Sequence, residues 1–177
     1  EDPGSLAHMF QAATEKFSER PFLFFEDEMW TYDHTNKAAN SLARYLISTG
    51  VKHGDRVVLF MENRPSFLIS LLALNKIGAI AVLINTSLTG DPLIHCINSS
   101  DAVKCIVGAE RAEPLEDVLN QINITKQEDF LWAEDPDQYS LPDWAIDLKA
   151  QLDLSDDGNL EETNEVRIKD VACYIFT

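Results

Sequence analysis

The stretch from Arg56 to Gly108 constrains the fold of this chain more than any other. "RVVLFM" (Arg56 to Met61), "AIAVLI" (Ala79 to Ile84) and "VKCIVG" (Val103 to Gly108) are short, unbroken apolar runs. A strand covered on both faces has this composition, whereas a half-exposed strand alternates polar and apolar residues. Between the first two runs, Phe67, Leu68, Ile69, Leu71, Leu72, Leu74 and Ile77 make a segment that is apolar nearly all round. This pattern predicts a central, buried helix. Pro65 suits its first turn and Gly78 its end. Asp91-Pro92 opens a further helix before the third run. A β-α-β-α-β order with short connections predicts a parallel sheet with right-handed crossovers and helices on its faces.

The flanks are read with the same rules. Ser5 is a helix cap, and Leu6, Met9, Phe10, Ala13 and Phe17 form one apolar stripe of the helix that follows. Pro21 stops it, and "FLFF" and "MWTY" predict two short strands around an acidic turn at Glu26-Asp27-Glu28. Ala38, Ala39, Leu42, Ala43, Tyr45 and Leu46 form the buried side of a second helix, which Gly50 ends. Beyond Gly108 a helix from about Pro114 to Ile122, a short strand in "DFLWAED" and a helix from Leu141 to Leu152 are expected. Residues 153–165 lack apolar periodicity and predict an exposed, mobile connector. The chain closes on "CYIFT", a β-favouring run ending at Thr177. The expected organisation is an α/β body over 1–108, an acidic extension over 109–152, the connector over 153–165 and a terminal strand over 166–177.

Charge narrows the function classes. The formal net charge is −16, and 17 acidic against 3 basic residues lie between Glu110 and Glu165. Such a surface repels phosphates and anionic headgroups, so nucleic acid is not an expected partner. A solvated acidic face is the plainest reading. The apolar stretch from Phe67 to Ile84 is interrupted by Asn75, Lys76 and Gly78, so it reads as helix plus strand rather than as a membrane span. No signal peptide is visible, and Glu1-Asp2-Pro3 without Met is read as a trimmed start. Cys96, Cys105 and Cys173 are an odd number without metal-like spacing, which predicts reduced core thiols in a cytoplasmic setting.

Self-contained chemistry is scarce. The sequence has no G-x-G-x-x-G, G-x-x-x-x-G-K-[ST], H-E-x-x-H or G-x-S-x-G motif. His95 and Cys96 are adjacent, but neighbours on a helix point about 100° apart, so a structural role is preferred over a nucleophile and base. Asn63-Arg64-Pro65 follows one strand and Asn85-Thr86-Ser87 the next, at the edge where open α/β sheets bind ligands. The plainer reading is that Asn63 caps the helix and Arg64 is merely exposed. No catalytic residue and no metal ligand is assigned.

The segment from Trp30 to Gly108 resembles the opening part of adenylate-forming enzymes. "ENRPSFL", "INTSLTGDPLIHCI" and "IKDVACYIFT" are similar to the fatty-acid-transport-protein-like branch of long- and very-long-chain acyl-CoA synthetases. The resemblance implies a layered α/β subdomain cut short before the phosphate-binding loop. In that family a strand like "YIFT" runs into a loop S-G-T-T-G-x-P-K that cradles ATP phosphates, so Thr177 is expected to lead into it. It further implies a full-length enzyme using fatty acid, ATP with Mg2+, and coenzyme A, with this piece inactive alone and membrane contact at most peripheral. Two alternatives stay open: a non-catalytic binding or scaffold module, and a ligase for a different carboxylic acid.

Overall fold

The computed structural model describes residues 4–134, 140–153 and 155–176. Its centre is a six-stranded sheet in the order β7-β6-β5-β3-β4-β8, and every neighbouring pair runs parallel. The strands are β3 (Arg56–Phe60), β4 (Ile80–Leu83), β5 (Lys104–Gly108), β6 (Phe130–Ala133), β7 (Ile146–Asp147) and β8 (Cys173–Ile175). A separate antiparallel hairpin joins β1 (Pro21–Phe25) to β2 (Glu28–Thr31). The three predicted core strands are therefore present with the parallel pairing that their unbroken burial required.

Among the described residues, six α-helices accompany the sheet: α1 (Leu6–Phe17), α2 (Tyr32–Ser48), α3 (Pro65–Lys76), α4 (Gly90–Ser100), α5 (Ala112–Glu116) and α6 (Leu148–Leu152). Val57, Leu59, Met61, Ala81 and Ile106 face one core with residues of α1, α2, α3 and α6. Val58, Phe60, Val82, Cys105, Val107 and Trp132 face the other, with Leu93 and Ile97 of α4 and Leu115 of α5. From β3 the chain moves to one side to make β4, then back across β3 to make β5. Crossovers of a single hand then demand helices on opposite faces, and α3 and α4 lie so. Gly78 ends α3 at φ +67°, with the imidazole of His53 filling the space where a Cβ would stand. Any side chain there meets both a strained backbone and a ring.

Several expectations change. In α1 the buried positions are Ala7, Phe10 and Thr14, while Leu6 and Met9 are exposed. The aromatic cluster decides the rotation: the Phe10 ring lies 4.8 Å from that of Phe22 and 5.8 Å from that of Tyr32. The helix expected from Pro114 to Ile122 is cut to α5 and a 3-10 turn at Leu119–Gln121. Asn98 of α4 causes the break, donating to the Gln121 carbonyl at 3.0 Å and accepting from the Asn123 amide at 2.8 Å. The helix expected over Leu141–Leu152 starts only at Leu148, because Ile146–Asp147 pairs with β6 and the Asp147 carboxylate caps the amides of Lys149 and Ala150.

The stretch read as an exposed, mobile connector is mostly exposed, and hydrogen bonds tie its Asp157–Asn159 part to α2. Asn36, Asn40 and Arg44 recur at helical spacing and reach it as a comb. Asn36 Nδ2 and Asn40 Nδ2 both donate to Asn159 Oδ1, at 3.0 and 3.1 Å. Arg44 donates to the carbonyls of Gly158 and Asn159, each at 3.0 Å. Leu160 and Thr163 are buried. The segment lacks apolar periodicity because polar side chains of α2 hold its backbone.

Candidate functional site

The reversal of strand order falls between β3 and β5, so the loops leaving their carboxyl ends part to opposite faces of the sheet. Such a switch point is where open parallel sheets form a ligand crevice. Here four charged residues fill it. The Glu110 carboxylate, just after β5, is ion-paired with Arg64, just after β3. The other Glu110 oxygen accepts the Glu62 amide at 2.7 Å. Arg111 donates to the Thr86 carbonyl at 3.2 Å and pairs with Glu62 at 3.0 Å. Among the described residues, Glu62, Arg64, Glu110 and Arg111 thus cross-link the loops after β3, β4 and β5.

Local sequence makes this closure available. Gly108 ends β5, and a Cβ built there would stand 2.4 Å from both Glu110 carboxylate oxygens. Only glycine lets that carboxylate fold back over the strand end. The Arg64 and Glu110 side chains are 12% and 13% exposed, so their attraction is screened less than that of a surface pair. Charge-assisted bonds of this kind are stronger than neutral ones.

The residues singled out from sequence have different fates. Pro65 is the first residue of α3 as expected, but the cap position belongs to Arg64, not Asn63, and no side chain caps it. Arg64 is largely buried rather than exposed. Asn85 accepts the Ser87 amide at 2.9 Å and so closes a turn instead of lining an open cleft. His95 is exposed, with its Nδ1 3.4 Å from the Ser99 hydroxyl, and it makes no bond to Cys96. Burial raises the Cys96 thiol and pushes the fully buried Cys105 well above its ordinary range, which leaves both as thiols. All three cysteines are unpaired.

At the far side of the sheet β8 pairs with β4, with Ala81 opposite Cys173 and Leu83 opposite Ile175. The Phe176 amide donates to the Leu83 carbonyl at 3.3 Å, so the chain leaves β8 at the carboxyl edge, beside the Asn85 turn. Thr177 lies outside the described residues. Glu62, Glu110 and Arg111 were not singled out from sequence. The visible signal for Glu110 and Arg111 is their place two and three residues past Gly108, at a strand end. Among the described residues no three His, Cys, Asp or Glu side chains gather as a metal-binding group, and no helix is long and apolar enough to cross a membrane.

Comparison with known proteins gives this architecture a family. The family model described as AMP-binding enzyme matches residues 10–177. Long-chain fatty acid transport protein 6 of Mus musculus is 28% identical over 171 residues, 95% of this chain and 27% of that protein. The medium/long-chain-fatty-acid–CoA ligase FadD6 of Mycobacterium tuberculosis (strain ATCC 25618 / H37Rv) is 30% identical over 176 residues, covering 98% and 27%. Among solved structures, the anthranilate CoA ligase AuaEII superposes with a TM-score of 0.82 at 19% identity, over 94% of this chain and 31% of that one. The last likeness is one of fold. The chain spans about a quarter of the length of the curated relatives it matches. With the family model running from α1 through β8, this chain belongs to the AMP-binding enzymes.

Proposed function

We propose that this chain is the N-terminal part of the adenylation domain of a long-chain fatty acid–CoA ligase. The observation that carries the reading is the nearly end-to-end similarity to long-chain fatty acid transport proteins and to a fatty-acid–CoA ligase. The reaction has two steps. A fatty acid carboxylate attacks the α-phosphorus of ATP, giving an acyl-adenylate and pyrophosphate. The thiol of coenzyme A then attacks the acyl carbon, giving the thioester and AMP.

In this reading the described residues are scaffold. The sheet presents its carboxyl edge, the cross-linked charges tie together the loops after β3, β4 and β5, and β8 ends at that edge, where the family likeness puts the approach to a phosphate-binding loop. Adenylyl transfer depends on positioning and charge neutralisation. No described residue is assigned to Mg2+, so the chain by itself is expected not to turn over. The domain divisions at 108, 152 and 165 are best treated as parts of one such domain, since β6, β7 and β8 all join the sheet that β3 nucleates. The proposed setting is the cytoplasm, with any peripheral membrane contact made by other parts of the protein.

A coupled adenylation assay on the full-length gene product, with fatty acids of graded length, tests this. AMP release should rise for long chains. No AMP release with any fatty acid would defeat the assignment.

A further inference from the structure

β8 is the most exposed strand of the parallel sheet, with Tyr174 37% and Ile175 69% exposed. It pairs with β4 alone among the described residues. Burial of one face is what normally fixes a strand's register, and a strand without such a face slips readily. Cys173 is only half-buried, so the side chains of β8 specify its register weakly. Its position along β4 therefore rests on the residues that enter it.

Those residues are anchored by polar contacts. Asp170 Oδ2 lies 3.1 Å from His53 Nε2 and accepts the Arg167 amide at 2.8 Å. The Asp170 amide donates back to the Arg167 carbonyl at 3.0 Å, so the turn into β8 is closed from both sides. Two residues on, the Ala172 carbonyl accepts the Ala81 amide at 3.1 Å and Asn75 Nδ2 at 3.4 Å. His53 is itself held in place. Its ring takes the space beside Gly78 that a Cβ would fill, and the Gly54 amide donates to the Gly78 carbonyl at 2.9 Å. Continuing the register in which Ala81 faces Cys173, Gly78 stands level with Asp170. The imidazole thus joins the entry of one strand to the entry of its neighbour. The Arg167 amide and then the imidazole hold the Asp170 carboxyl below its ordinary range, so it is ionised and accepting at neutral pH.

We propose that His53 and Asp170 pin the register of β8, and that they are thereby positioning residues for the nucleotide. The second half rests on the adenylation reading, in which the carboxyl end of β8 approaches the phosphates. A slip of one residue moves that end by about 3.3 Å. A misplacement of about 1 Å can cost about a hundredfold in rate. The His53 side chain is 53% exposed, so the contact adds little to global stability and its effect is local.

His53→Ala in the full-length gene product tests both halves. Without substrates, the amides of Ala81 and Phe176, which bond between β4 and the β8 segment, should exchange roughly fivefold faster, with those of β3 and β5 unchanged. In steady-state assays the KM for ATP should rise about tenfold, while the KM for fatty acid and the thermal midpoint hold. Asp170→Ala should reproduce both changes, and Asp170→Asn, which keeps a carbonyl acceptor, should largely reverse them. Unchanged exchange at Ala81 and Phe176 overturns the pin. Faster exchange with an unmoved KM for ATP, or with both KM values moved alike, overturns the positioning role. A parent protein that releases no AMP with any fatty acid defeats the adenylation reading and the positioning role with it, and the exchange measurement then decides the pin by itself.

Discussion

The carboxyl edge of the sheet and the end of α3 both hold buried charge and reach opposite outcomes. At the edge, Glu62, Glu110, Arg64 and Arg111 pair across the loops and close the crevice. The contrast is one of partners: charges that meet opposite charges condense into structure, and a buried charge that meets none bears the full cost of leaving water. Lys76, at the end of α3, is wholly buried and its Nζ has no hydrogen-bond partner among the described residues. Burial lowers its pKa to about 8.

Unbalancing the matched site should have the largest effect. Glu110→Ala leaves the Glu62 amide and a largely buried Arg64 without their carboxylate, and breaking a buried pair costs on the order of 3 kcal/mol. A fall in the urea midpoint with unchanged slope checks this, and a change below about 0.5 kcal/mol would mean that the edge is not closed by charge.

Removing the unmatched cation should act in the reverse direction. The folded-state pKa of Lys76 lies below its unfolded value, so the unfolded chain binds more protons between about 8 and 10.5. Stability therefore falls as pH drops through that window and stays low beneath it. Lys76→Met keeps the volume and removes the charge, and should stabilise the chain at pH 7 by about 3 kcal/mol. Thermal melts from pH 7 to 10.5 should rise for the parent and stay flat for the variant.

The smallest effect sharpens how the edge is closed. Gly108→Ala inserts a methyl where the Glu110 carboxylate sits and should cost about 1–2 kcal/mol by displacing it. In the Glu110→Ala background the same change should be nearly neutral. A double-mutant cycle measures the coupling, and simple additivity would show that the glycine serves some other purpose.

Much of this fold is legible in the residues. The unbroken apolar runs of β3, β4 and β5 declare strands covered on both faces, and Pro65, Gly50 and Gly78 mark helix ends through backbone restrictions that are local. Other elements are not, because their determinants are distant. Asn98 interrupts a helix that the sequence from Pro114 to Ile122 would otherwise allow, and it does so from α4. The Phe22 and Tyr32 rings choose which face of α1 is buried, against the pull of Leu6 and Met9.

The closed edge shows the same division. Asn63-Arg64-Pro65 is visible as a strand-to-helix junction, yet its partner Glu110 is 46 residues away from Arg64 in an acid-rich stretch where no carboxylate stands out. Periodicity and backbone stereochemistry act over a few residues, so the sequence by itself determined the strands, most of their helices and the parallel layering. Which acid meets which base depends on strand order, and strand order exists only once β5 has returned across β3. The tertiary structure alone decided that the Glu110 carboxylate would close a crevice and that Lys76 would be buried at the end of α3.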